Sequence, residues 1–147
     1  MTAITHIVDG RGNNTRACVT QIGALIVSPF KYDEVVYNEL AAINTAYNFY
    51  ESLPGQQFVI TGMRIKADRQ VSSTVDADVV IYEATSSSTT DVSKILHQEA
   101  MVRGENVTML PMNILVNEGV FINAKTTDDD IHMTIMGYPW IVTGKRL

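Results

Sequence analysis

The last third of the chain limits its fold most narrowly, because turn-forming residues separate four short apolar segments there. The segments are residues 106–110, 112–116, 120–123 and 131–142. Pro111, the sequence Asn117-Glu118-Gly119 and an acidic loop lie between them. Between Ile131 and Ile135 apolar and polar residues alternate, which is the period of a half-buried strand. We predict four strands in this region.

Residues 32–50 allow two interpretations. The spacing of four apolar residues is that of one face of a helix, and these residues are Val36, Leu40, Ile43 and Tyr47. However, residues 34–37 and 46–50 are rich in the β-branched and aromatic side chains that strands favour. We favour two strands joined by a turn at residues 41–44, and a single helix is the alternative.

The alternation of apolar residues changes phase near Gly62. Phe58 and Ile60 have one parity, whereas Met63 and Ile65 have the other. One extra residue at a glycine is typical of a β-bulge, or of a bend that carries a strand into a second sheet. We expect Gly62→Val to destabilise the fold by about 1–3 kcal/mol through backbone strain.

Residues 76–84 predict a strand that is apolar on both faces. Val79 and Ile81 share one face, and Val80, Tyr82 and Ala84 share the other. A two-sided apolar strand is normally covered on both sides. We therefore expect Val80 and Tyr82 to form a subunit interface of a homo-oligomer, although the N-terminal segment is a competing cover. The charged fraction of 18%, below the usual quarter or so, agrees with a surface that is partly covered.

The whole chain contains roughly eight to ten such segments, separated by turns every 8–12 residues or so. This spacing predicts an all-β fold, an antiparallel two-sheet sandwich of jelly-roll type. We assign residues 31–147 to the sandwich domain. Residues 1–30 are turn-rich and are expected to form an extended N-terminal arm or hairpin.

Composition argues against several classes of partner. The formal net charge is −5 and the basic residues are scattered, so we expect no nucleic-acid binding. We find no secretory signal and no long apolar run, so we expect no membrane association. Cys18 is the only cysteine, which excludes an intrachain disulfide and a multi-cysteine zinc site.

Catalytic and metal-binding motifs are weak, and we expect no enzyme activity and no cofactor. No serine lies in a Gly-x-Ser-x-Gly sequence, and no phosphate-binding glycine loop occurs. His6, His97 and His132 are far apart in sequence. Asp130 and His132 share a strand face, so a cupin-like metalloenzyme is one alternative, but a solvent-facing strand end explains them more simply. We expect no metal site.

Two further features keep alternatives open. The acidic loop Asp128-Asp129-Asp130 lacks the pattern of an EF-hand, yet adjacent carboxylates could hold calcium. Tyr138 and Trp140 could face a ligand and stack on a sugar ring, although aromatic packing at an edge or interface is the simpler interpretation.

Several sequence segments carry a resemblance to a known class of proteins. They are residues 115–125 and 135–138, together with residues 46–50, 58–62 and 80–84. In this order they resemble small β-sandwich structural proteins of tailed-bacteriophage virions. The resemblance implies a non-enzymatic virion protein, made in the host bacterial cytoplasm, of the capsid decoration (cement) type. Such a protein binds the major capsid protein or other virion proteins, stabilises the assembled head, and is expected to be a homotrimer. The alternative is a tail or head-tail accessory or receptor-binding protein that contacts host-surface carbohydrate. The resemblance assigns no functional residues.

Overall fold

The structure, a computed structural model, describes residues 34–68 and 77–141, and both ranges are built from β-strands. The strands are β1 (Glu34–Leu40), β2 (Tyr47–Glu51), β3 (Gln56–Ala67), β4 (Ala77–Ala84), β5 (Lys94–Met101), β6 (Asn106–Met109), β7 (Ile114–Val116), β8 (Phe121–Thr126) and β9 (Ile131–Ile141). The predicted N-terminal arm, together with Cys18 and His6, lies outside the described residues. No helix in the described ranges is long and apolar enough to cross a membrane.

The strands form two antiparallel sheets. The five-stranded sheet has the order β1-β9-β3-β6, and β7 also pairs with β3. The four-stranded sheet has the order β2-β8-β4-β5. The predicted all-β, two-sheet antiparallel fold is therefore confirmed.

The pairing of the strands is nested along the chain. β1 pairs with β9, β2 with β8, β3 with β6 and β7, and β4 with β5. This is the connectivity of one long hairpin wrapped into two layers, which is the arrangement of a jelly roll. The chain therefore passes between the two sheets at most of its turns.

The core lies between the sheets and is almost entirely aliphatic and aromatic. The five-stranded sheet contributes Leu40, Phe58, Ile60, Met63, Ile65, Ile131, Met133 and Ile135. The four-stranded sheet contributes Phe49, Val79, Ile81, Met101, Ile122 and Ala124. Each large side chain buried there stabilises the fold by roughly 1.5–3 kcal/mol. The alternation predicted for residues 131–135 is confirmed.

Residues 34–51 form two strands, as favoured from the sequence, and the helix alternative is wrong. The chain turns between Leu40 and Tyr47, where Asn44 has a positive φ of 52°. Asparagine tolerates this conformation better than most residues. The backbone N–H of Asn44 donates to the carbonyl of Thr126 at 2.8 Å, which fixes the turn to the end of β8.

The predicted irregularity at Gly62 is a β-bulge. The register of β3 against β9 shifts between Ile60 and Gly62, and the inward-facing residues change parity there. β3 stays in the five-stranded sheet along its whole length, so the alternative of a bend into the second sheet is wrong. Backbone strain is not the reason for the glycine, since the described glycines with positive φ are Gly55, Gly104 and Gly119.

A buried carboxylate connects three parts of the fold. Glu83 of β4 accepts hydrogen bonds from Nζ of Lys94 at 2.8 Å and from the backbone N–H of Asn117 at 3.0 Å. The side-chain amide of Asn117 donates to its second oxygen at 3.0 Å. Burial raises the pKa of Glu83, but these hydrogen bonds outweigh it, and the pKa is lowered overall. The ionised carboxylate therefore holds the start of β5 and the turn after β7 against β4.

Candidate functional site

The outer face of the five-stranded sheet is defined by the alternation of β9. Ile131, Met133 and Ile135 point into the core, so the even-numbered residues from His132 to Trp140 point outward. The register places Tyr37 beside Thr134 on one side and Arg64 beside Thr134 on the other. Side chains from β1, β9 and β3 therefore form one continuous surface.

One part of this outer face is apolar and exposed. The described residues contain nine large hydrophobic side chains that are exposed, and five of them lie on this face. They are Val35, Tyr37, Leu110, Leu115 and Trp140, with exposed fractions between 37% and 56%. This concentration on one face of a single sheet is the usual sign of a surface that contacts another molecule.

Leu110 extends this apolar surface across the bulge. A Cβ atom built on Gly62 would lie only 2.1 Å from Cδ2 of Leu110 and 3.0 Å from Cε of Met136. Gly62 therefore leaves the space in which Leu110 packs directly over the backbone of β3. The bulge and the side chain of Leu110 together shape the middle of the outer face.

The two aromatic residues singled out in the sequence lie on the same outer face. Tyr138 and Trp140 are two residues apart on β9, with ring centroids separated by 6.3 Å and planes inclined by 54°. Trp140 is 37% exposed, while Tyr138 is half-buried. The pair forms an aromatic platform at one end of the face.

The opposite end of the face carries polar groups around a shallow cleft of about 290 Å³. The cleft is lined by Tyr37, Arg64, Lys66, His132 and Thr134. Three of these side chains are cationic or can become so, and the other two carry hydroxyl groups. The lining therefore presents hydrogen-bond donors and positive charge, which suit a carboxylate, phosphate or sulfate group.

His132 is held by two neighbours at this cleft. Its Nδ1 lies 2.7 Å from the hydroxyl of Tyr37, and the two rings are stacked. Its Nε2 lies 3.6 Å from Oδ2 of Asp68. The carboxylate that pairs with His132 is therefore that of Asp68.

No family model, curated protein or solved structure matches this chain.

The second pair of residues predicted from the sequence, Val80 and Tyr82, lies on the outer face of the four-stranded sheet. Val80 is half-buried, between Gln98 and Lys125 on the adjacent strands. Tyr82 is 0% exposed within the single chain. The premise that Tyr82 needs a partner subunit as its cover is therefore wrong.

A loop of the same chain covers Tyr82. The hydroxyl of Tyr82 donates to the carbonyl of Thr89 at 2.7 Å, and the side-chain amide of Asn123 donates to the carbonyls of Ser86 and Thr89. Burial raises the pKa of Tyr82, the contact with Asn123 partly opposes this, and the charge of Asp91 adds to the increase. Residues 85–90 are thus held against the sheet by polar side chains that project from it.

The acidic loop after β8 does not form a conventional metal site. Within residues 34–68 and 77–141, no group of three or more His, Cys, Asp or Glu side chains is placed to hold a metal ion. Asp128 is nevertheless buried, and its backbone N–H donates to the hydroxyl of Thr126 at 3.2 Å. The loop is therefore folded onto the protein and is not a solvated turn.

Sequence reasoning missed the cleft, because its residues come from three strands that are distant in the chain. Arg64 and Lys66 alternate along β3, and His132 and Thr134 alternate along β9. This alternation signals outward-facing residues on each strand. The cross-strand register that joins them is a long-range property, and no local pattern reports it.

Proposed function

We propose that the chain is a non-enzymatic structural protein of a bacteriophage virion, of the capsid decoration type, which binds the assembled head through the outer face of the five-stranded sheet. The observation that carries the proposal is the grouping of Val35, Leu110, Leu115 and Trp140 as exposed apolar side chains on that face. The jelly-roll connectivity agrees with the resemblance to virion proteins in the sequence. Fold alone does not define function, so the exposed face is the stronger support.

Binding of this kind would stabilise the head by mass action. A protein that binds the assembled lattice but not its separate subunits shifts the equilibrium toward the lattice. Many copies each contribute a small free energy, and these contributions add over the particle. A rigid sandwich with a preformed apolar face suits this role, because little conformational entropy is lost on binding.

Self-association is part of the proposal. The resemblance implies a trimer, and the exposed apolar face gives a physical reason for contact between copies or with a lattice. Because Tyr82 is covered by its own chain, an interface on β4 would depend on Val80.

The direct test is the composition of purified particles. Virions of the phage that encodes the chain are separated on a density gradient, their proteins are identified by mass spectrometry, and the particles are imaged by cryo-electron microscopy. We expect the chain in the particle fraction and its density on the outer surface of the head. Absence of the chain from the particles would contradict the proposal.

A second candidate function is binding of host-surface carbohydrate by a tail or head-tail accessory protein. The observation that favours it is the tilted Tyr138–Trp140 pair on the same face as the cleft at His132. Thr134 and Trp140 are six residues apart on β9, which corresponds to about 20 Å along a strand. An anionic oligosaccharide could therefore stack on the aromatic pair and reach the cleft.

Fluorescence separates the two functions, because Trp140 is the only tryptophan. Titration with anionic and neutral oligosaccharides should leave the emission of Trp140 unchanged if the protein is a decoration protein. A saturable change that is lost in Arg64→Gln would support carbohydrate binding, as would density on the tail in place of the head.

A further inference from the structure

Two buried oxygen atoms on adjacent residues lack any hydrogen-bond partner. Of the buried side-chain nitrogen and oxygen atoms in the described ranges, those without a partner are Oδ2 of Asp128 and Oδ1 of Asp129. Buried polar groups are nearly always hydrogen-bonded, since an unpaired one costs free energy. That both exceptions occur side by side in one loop points to a shared cause.

The carboxylate of Asp128 is the more constrained of the two. Asp128 is 6% exposed. Its Oδ1 accepts a hydrogen bond from the backbone N–H of Asp129 at 2.9 Å, while its Oδ2 is left without a donor. None of the ion pairs of the described residues includes Asp128 or Asp129. A buried carboxylate without a cation is strongly unfavourable in its charged form.

The surrounding loop is fixed to the sheets on both sides. The backbone N–H of Thr127 donates to the carbonyl of Asp78, and the hydroxyl of Thr127 accepts from the N–H of Asp78. The N–H of Asp68 donates to the carbonyl of Asp130 at 3.0 Å. The loop therefore cannot turn outward to solvate its carboxylates without breaking these hydrogen bonds.

From these observations we propose that Asp128 and Asp129 bind a hard divalent cation, with calcium as the preferred ion. Calcium is coordinated by six to eight oxygens in flexible geometry, and carboxylate oxygens are among its usual ligands. Water molecules would supply the remaining ligands. With only two carboxylates the site is weak, with a Kd in the range of about 0.1–1 mM. The proposal does not depend on the proposed virion function.

The cation neutralises the carboxylates of two adjacent residues in the loop after β8. Because it binds the folded chain and not the unfolded one, it stabilises the fold. At about 10 mM calcium and a Kd of about 0.5 mM, we expect the Tm to rise by roughly 4–7 °C. Magnesium should act less strongly, since it requires octahedral geometry and loses its water reluctantly.

The test combines calorimetric titration of the full chain with thermal melts in calcium, in magnesium, and in sodium chloride of equal ionic strength. We expect about one calcium per chain and a saturable rise in Tm that sodium chloride does not reproduce. In Asp128→Asn the rise should disappear, and in a chelator this variant should melt at or above the parent, because a buried charge is removed. Asp91→Asn, in another acidic but exposed loop position, is the control and should keep the full response.

Asp129→Asn provides an independent variant and should lower calcium affinity at least tenfold. The proposal is overturned if calorimetry detects no calcium on the parent chain, or if Asp128→Asn and Asp129→Asn both retain the rise in Tm. A calcium response that Asp91→Asn also loses would equally overturn it, since the effect would then be a general one of surface charge.

Discussion

At the scale of single residues, two glycines of the five-stranded sheet differ in what surrounds them. A Cβ atom on Gly137 would lie 2.3 Å from the carbonyl oxygen of Val59 and 2.5 Å from the ring of Phe58. Backbone and a buried ring cannot easily move. On Gly62 the nearest atom is the end of Leu110, a flexible side chain that is 41% exposed.

We therefore expect Gly137→Ala to destabilise the fold by about 3 kcal/mol, and Gly62→Ala by only about 1 kcal/mol, because Leu110 can rotate away. Denaturant unfolding of both variants measures the difference. In the double variant Gly62→Ala, Leu110→Ala the cost at position 62 should largely vanish relative to Leu110→Ala alone. Equal destabilisation by the two single glycine variants would contradict this account.

The sequence alone does not distinguish two reasons for a glycine at position 62. One is backbone strain, the reason expected from the sequence, and the other is close packing against a neighbouring side chain. The change of alternation between Ile60 and Met63 is a local signal, and it located the bulge correctly. The position of Leu110 over Gly62 depends on how β6 pairs with β3. That pairing is long-range, so the sequence pattern does not contain it.

At the scale of the elements, Glu83 connects β4 to β5 and to the turn after β7. Its pKa is lowered in the folded chain, so its ionised form stabilises the fold. This contribution is fully present above the unfolded pKa, near 4.5, and is lost as the pH falls through the lower, folded value.

Replacing Glu83 by Gln should cost about 1–3 kcal/mol at neutral pH, since Lys94 and the N–H of Asn117 lose a charged acceptor. Below pH 4.5 the free energy of unfolding of the parent falls as Glu83 is protonated, and that of the variant should fall less. Urea unfolding between neutral pH and about pH 3 measures both effects. If parent and variant differ by the same free energy at every pH, ionised Glu83 is not the cause.

The sequence did not show which part of the molecule covers the side chain of Tyr82. The pattern of β4 correctly indicated a strand apolar on both faces. It did not reveal that Asn123, from β8, would bind the carbonyls of Ser86 and Thr89 and so hold a polar loop over the ring. The sequence of a polar loop does not show which side chains will donate hydrogen bonds to its backbone carbonyls.

We expect Tyr82→Phe to cost about 1 kcal/mol, because the carbonyl of Thr89 loses the closer of its two donors, the Tyr82 hydroxyl at 2.7 Å, and keeps only the side-chain amide of Asn123 at 3.2 Å. Amide hydrogen exchange should be faster in residues 85–90 of this variant and unchanged in β9. Unchanged exchange in the loop would mean that Tyr82 does not hold it.

At the scale of the whole molecule, exposed apolar side chains are concentrated on one part of the outer face of the five-stranded sheet. The count of strands and their turn spacing were sufficient to predict a two-sheet sandwich, because alternation and turn residues are local. The strand order and the cleft between β1, β9 and β3 follow from register, and needed the structure.

The expected assembly is a homotrimer, and light scattering of the full chain measures it. We predict a mass of three chains. Val80→Asp should lower this mass if β4 carries the interface, whereas Val35→Asp should lower it if the outer face of the five-stranded sheet does. A mass of one chain for the parent would contradict self-association.

The central claim, that the outer face of the five-stranded sheet binds the assembled head, is tested most directly by binding to heads that lack the chain. Leu115 on that face and Ile95 on β5 are matched, with exposed fractions of 52% and 53%. Leu115→Lys should weaken binding at least about tenfold, whereas Ile95→Lys should bind like the parent. Binding of Leu115→Lys that equals the parent would contradict the claim.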